Sequence, residues 1–100
     1  MSKSLTTYCS YLVGAIYKIL PLMEEDNSDW VKYTKSLILE IKGFLTAVED
    51  ELYLLRLMSK LEGLLSLQDT DLKNLEVHSF FKKNIFDAIE LAKKAGGADE

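Results

Sequence analysis

The chain has 100 residues, of which 48% are hydrophobic and 28% are charged, a composition that fits one folded domain and excludes a disordered chain. The net charge is only −4 and both halves share it, so no basic patch for nucleic acid or an anionic membrane is expected. One proline and five glycines leave few positions that would break a helix. We predict a single helical domain over residues 1–97 and a frayed tail at 98–100.

The amino-terminal segment and the cysteine content indicate the location of the protein. Tyrosines interrupt the apolar part of this segment and no small-residue cleavage site follows, so a secretion signal is not predicted. No window reaches about 18 uninterrupted apolar residues, the length that a membrane-spanning helix needs. Cys9 is the only cysteine, which excludes an internal disulfide, and its place on an apolar helix face predicts a buried thiol. We therefore expect a cytoplasmic protein that binds no membrane.

The first helix is predicted at about residues 4–24, with Ser4 as its N-cap. Pro21 predicts a kink, because proline lacks an N–H and its ring clashes with the preceding turn. Met23 nevertheless returns to the same face, so the helix is expected to continue beyond the kink. The apolar residues of that face recur at helical spacing: Leu5, Tyr8, Cys9, Leu12, Ile16, Ile19 and Leu20.

Residues 29–66 form either one long helix or two helices joined by a turn. On a common helical wheel, the apolar stripe of residues 30–48 and that of residues 54–65 point about 140° apart. A straight helix cannot bury both stripes against one core, which favours two helices. One long helix would need a second chain to cover its other stripe, as in an intertwined dimer.

Local signals place the turn between these two helices. Gly43 can end the first helix, and Thr46 with Glu49 has the spacing of a capping box that opens the second. We predict helices at about 29–44 and 47–66, the first of them capped by Asn27 or Ser28.

The last helix is predicted at about residues 77–95, ended by Gly96 and Gly97. Its core stripe is formed by Phe81, Ile85, Ala88, Ile89 and Ala92. The predicted fold is therefore an all-α, up-down bundle of four helices with short connections, either monomeric or dimeric.

The residues that carry chemistry in proteins are few in this chain. His78 is the only histidine and Cys9 the only thiol, so one chain cannot form a Cys/His metal site, and no glutamate stands where a di-iron bundle needs it. Arg56 is the only arginine, which argues against base readout in DNA. Glu40 and Glu62 lie on polar helix faces, and solvent exposure explains them. We expect no cofactor, no metal and no enzymatic activity.

Six residues are candidates for a protein interface. Three are tyrosines that border the core stripes, and the simplest interpretation is that they rim the core with their hydroxyls in water. The other three are apolar residues within polar arcs, which predicts more apolar surface than one small bundle can hide. The candidate interface residues are Tyr11, Tyr17, Leu39, Leu52, Tyr53 and Phe86.

From these patterns we predict a small non-enzymatic protein-interaction module: an inhibitor, an immunity-type protein or a regulatory protein. It would act through an apolar and tyrosine-bearing helical surface, on another protein or on a second copy in a homodimer. The alternative is a helical bundle that binds a small apolar ligand in its core. A third possibility, an enzyme, would need Cys9 and His78 to meet in one site.

Overall fold

The computed structural model describes residues 2–25, 28–48 and 51–97, with side chains from residue 5 onward. Within these residues there are helices and turns and no strands, which confirms the all-α bundle. The predictions for Ser4, Asn27, Glu49 and the tail at 98–100 concern groups outside the described part. The helices are α1 (Ser2–Tyr17), α2 (Ile19–Glu24), α3 (Asp29–Leu45), α4 (Leu52–Leu65) and α5 (Leu75–Ala95).

The first helix is interrupted at Lys18, three residues before Pro21, where the kink was predicted. Pro21 has no N–H to offer the carbonyl of Tyr17, one turn earlier, and its ring crowds that carbonyl. The helix is therefore interrupted one turn before the proline, and α2 begins directly after the break. The apolar stripe continues across it, since α2 buries Ile19, Leu20 and Met23.

Residues 29–66 form two helices, as predicted, but the second begins at Leu52 and the predicted start at 47 was wrong. Residues 46–48 are a turn, in which the Thr46 hydroxyl donates a 2.7 Å hydrogen bond to the Gly43 carbonyl. Thr46 thus bonds to a carbonyl near the end of α3 and does not cap α4.

The residue that caps α4 is Glu51, whose side chain accepts a 2.9 Å hydrogen bond from the Leu54 amide. This bond satisfies one of the amides that the first turn of a helix leaves free, so the helix starts just after Glu51. At α3, Ser28 is the N-cap residue but its side chain makes no capping hydrogen bond.

The last helix begins at Leu75, two residues before its predicted start at 77. Asn74 sets this start, because its side-chain oxygen accepts from the amides of Glu76 at 2.9 Å and Val77 at 3.2 Å. The helix ends at Ala95, as predicted, and Gly97 has a φ of 77°, which favours glycine.

The core lies between α5 and the other helices, with α5 packed against both α1 and α4. Buried Trp30 of α3 and Phe81 of α5 meet edge to face within it, with ring centroids 5.1 Å apart. The hydroxyl of buried Thr34 is satisfied by the Trp30 carbonyl at 2.7 Å. No helix in the described part of the chain is long and apolar enough to cross a membrane. The up-down order of the helices stays a prediction.

Candidate functional site

Cys9 and His78 do not meet. The Cys9 side chain is buried against Gly96, which follows the carboxyl end of α5, whereas His78 lies in the first turn of that helix. At a rise of 1.5 Å per residue, the two ends are about 27 Å apart. Burial, assisted by the negative charge of Glu51, raises the pKa of the Cys9 thiol to about 11, which disfavours the thiolate nucleophile. Among the described residues, no group of three potential metal ligands comes together.

His78 instead joins α5 to α2. Its Nε2 lies 2.9 Å from Oε2 of Glu24, and both side chains are partly exposed. The two residues are 54 positions apart, so the contact depends on helix packing and has no local signal in the sequence.

A cluster of aromatic side chains joins α1 to α3 around Glu40. The hydroxyl of Tyr8 donates to Oε1 of Glu40 at 3.0 Å, and that of Tyr11 donates to Oε2 at 3.4 Å. The Tyr8 ring also stacks on Phe44, with centroids 4.1 Å apart. Glu40 is exposed, as predicted, but solvation alone does not explain it, because it accepts hydrogen bonds from two tyrosines.

The tyrosines of this cluster are held in their neutral form. Burial raises the pKa of Tyr8, and the hydrogen bond to Glu40 and the charge of Glu40 raise it further. The same causes raise the pKa of Tyr11. Tyr33 donates a 2.7 Å hydrogen bond to the Ala15 carbonyl, and burial also raises its pKa. These hydroxyls are bonded within the protein, which makes the cluster a structural contact between two helices.

Tyr17 and Phe86 form an exposed aromatic pair across the seam between α1 and α5. Their ring centroids are 6.1 Å apart, and the two residues are 55% and 42% exposed. Of the six predicted interface residues, all of which the structure describes, these are the two whose rings meet.

The other predicted interface residues lie elsewhere. Tyr11 is on the α3 side of α1, whereas Tyr17 is on the α5 side. Leu39 is 68% exposed on the outer side of α3. Leu52 is exposed in the first turn of α4, and Tyr53 is half-buried against the core. The six residues therefore do not form one continuous patch.

Sequence reasoning missed two exposed apolar residues of α5, Leu75 and Phe80. Phe80 could have been found, because it directly precedes Phe81 and so lies about 120° from the centre of the core stripe. It lines an open groove between α4 and α5 that also contains Arg56, Lys60 and Gly63.

Comparison of the chain with models of protein families, with curated proteins and with solved structures found no match. What the fold and its surface define is a class: an all-α bundle that exposes aromatic side chains at the seams between its helices.

Proposed function

We propose that this chain is a small, non-enzymatic protein-interaction module of the inhibitor, immunity or regulatory kind, acting in the cytoplasm. The observation that supports the proposal is the exposed Tyr17–Phe86 pair. We define the aromatic face as Tyr17, Pro21 and Phe86, with Lys18 and Glu24 at its edges. The partner to which we assign this face is a second copy of the chain.

The aromatic pair favours protein binding for two reasons. Burying an exposed aromatic side chain contributes about 1.5–3 kcal/mol, and tyrosine is enriched among the residues that dominate interface energies. The contact between the Tyr17 and Phe86 rings also restricts both side chains before a partner arrives, which lowers the entropy lost on binding.

The charges at the edges of the aromatic face suit a second copy of the same chain. Lys18, Pro21 and Glu24 line one depression together with Tyr17, so one cation and one carboxylate flank an apolar centre. In a two-fold symmetric dimer the same patch meets itself, which lets Lys18 of one copy face Glu24 of the other. Glu24 contacts His78 through Oε2, and Oε1 can accept from the lysine.

Sedimentation equilibrium tests the proposal. The wild-type chain should show a concentration-dependent dimer, and the double variant Tyr17→Ser/Phe86→Ser should sediment as a monomer with an unchanged circular dichroism spectrum. Leu39→Ser is the matched control, because Leu39 is more exposed than either aromatic residue but lies outside the face. A wild-type chain that stays monomeric at high micromolar concentration, or a control that dissociates the dimer equally, would overturn the proposal.

Exchanging the edge charges tests the symmetry of the dimer. Lys18→Glu and Glu24→Lys should each weaken it, because like charges then face each other, and the double variant should recover part of the affinity. No recovery in the double variant would show that the two residues do not meet.

A further inference from the structure

We propose that the groove between α4 and α5 binds an acidic amphipathic helix of another protein. This α4–α5 groove is defined by Arg56, Lys60 and Gly63 of α4 with Phe80 and Leu91 of α5. It lies on the other side of α5 from the aromatic face, since Phe86 meets α1 whereas Lys60 meets Asp87 of α5. The inference therefore does not rest on self-association.

The apolar part of the groove is formed by α5. Phe80 is 54% exposed at its rim, and half-buried Leu91 follows three turns later. Opposite them, an added Cβ on Gly63 would meet nothing within 4 Å, so no side chain fills the groove there. The open volume of this groove is about 550 Å³, which is enough for a row of side chains.

The charge of the groove determines the chemistry of its partner. The charged side chains that line it are Arg56 and Lys60, both positive, although the whole chain carries −4. The carboxylate that contacts Lys60 is Asp87, which is shared by Lys60 at 3.5 Å and Lys83 at 3.2 Å. In the described part of the chain, no carboxylate pairs with Arg56. Carboxylates on a partner protein would pair with the positive side chains of the groove.

The length of the groove indicates a helix. Phe80 and Leu91 are eleven residues apart on α5, which corresponds to about 16 Å or three helical turns. A partner helix with apolar residues at i, i+4, i+7 and i+11 covers the same length on one face. Glutamates beside that stripe would then lie within reach of Arg56 and Lys60.

The probe is a fluorescein-labelled helical peptide of about 14 residues, with leucine at those four positions and glutamate on both flanks. Fluorescence anisotropy should show saturable binding that weakens as salt is added. A second peptide with lysine in place of glutamate should bind about tenfold more weakly or not at all.

Three variants locate the binding. Arg56→Glu should weaken it about tenfold by reversing a charge that pairs with no carboxylate among the described residues. Gly63→Leu should weaken it comparably by filling the groove, whereas Gly43→Leu, an equally open glycine on the outside of α3, should bind like wild type. Tyr17→Ser/Phe86→Ser should also bind like wild type, which separates this site from the aromatic face.

Each contrary result overturns the proposal. Absence of saturable binding would show that the groove does not bind such a helix. Equal binding of the glutamate and lysine peptides would show that the partner does not need acidic residues. Equal losses in Gly63→Leu and Gly43→Leu would place the peptide elsewhere. A change in sedimentation with Gly63→Leu, in place of a change in peptide binding, would make the groove a contact between copies.

Discussion

The Tyr8 hydroxyl donates a 3.0 Å hydrogen bond to Oε1 of Glu40, and this bond joins α1 to α3 across 32 positions of sequence. The Tyr8 ring is partly buried and stacked on Phe44, so a single side chain supplies both polar and apolar contact between the two helices. The first two predictions follow from this pair.

Removing the Tyr8 hydroxyl should destabilise the fold. Tyr8→Phe keeps the stacked ring and loses the hydrogen bond, so we expect a loss of about 1 kcal/mol in the free energy of unfolding by urea. Tyr11→Phe is the control and should lose less, because its bond to Glu40 is 3.4 Å long and the residue is exposed. Additive effects of Tyr8→Phe and Glu40→Gln would show that the bond contributes nothing.

Stability should fall at alkaline pH, and Tyr8 should contribute to the fall. Burial and Glu40 raise the pKa of Tyr8 in the folded chain above the ordinary value of about 10. The unfolded chain therefore loses this proton first, so the stability is intact below pH about 10 and declines as the pH rises further. Urea midpoints at increasing pH should decline less steeply for Tyr8→Phe than for wild type, with Glu40→Gln between them. Identical slopes for all three chains would contradict the assignment.

Leu37 and Leu39 of α3 should differ strongly in their response to substitution by glutamate. Leu37 is 4% exposed, and Leu37→Glu should unfold the chain, because a carboxylate in the apolar core is left without a partner. Leu39→Glu places the same group in water and should change the free energy of unfolding by about 0.5 kcal/mol at most. Circular dichroism during thermal unfolding checks both, and similar losses would mean that α3 is rotated from the orientation described.

The Cys9 thiol should react slowly with a disulfide reagent in the native chain. It is buried and its pKa is raised to about 11, so reaction requires local opening of α1 from the end of α5. Thr6→Ala removes the 3.2 Å hydrogen bond to the Gly96 carbonyl and should accelerate the reaction. Thr46→Ala, which loses a similar bond to the Gly43 carbonyl far from Cys9, should leave the rate unchanged. Equal acceleration by both would point to global unfolding as the route.

Two glycines should differ when replaced by alanine. Gly43 lies within α3 with open space around it, so Gly43→Ala should stabilise the chain by about 0.5–1 kcal/mol. Gly96→Ala should gain nothing, because its Cβ would lie 3.0 Å from the Cβ of buried Cys9 and one of them would have to move. Chemical unfolding measures both, and a comparable gain at Gly96 would show that this contact yields easily.

The pattern of the sequence predicted the helices better than their ends. Apolar periodicity predicts the buried face of each helix, because apolar residues recur at helical spacing where one face of a helix packs against the core. The start of α4 was misplaced because Thr46 and Glu49 have the spacing of a capping box, whereas Glu51 provides the capping oxygen. At α5 the capping oxygen is likewise supplied by a residue that was not predicted as a cap, Asn74, and the helix therefore starts at Leu75.

The apolar periodicity of the sequence could not predict which side chains of different helices are in contact. Periodicity places Tyr17 and Phe86 beside their own stripes, but whether their rings meet depends on which helices are neighbours and how they are rotated. Glu40 likewise has no local feature that marks it as the acceptor for Tyr8 and Tyr11.

The contact of Thr6 with Gly96 closes a loop of 90 positions, so the α1–α5 seam unites parts of the chain that are far apart in sequence. Such contacts carry a larger loop-closure entropy than those between neighbouring helices. The Tyr17–Phe86 pair lies on this seam and therefore exists only while the chain is fully folded. A second copy bound there would select the native state, so the melting temperature should rise with protein concentration by mass action.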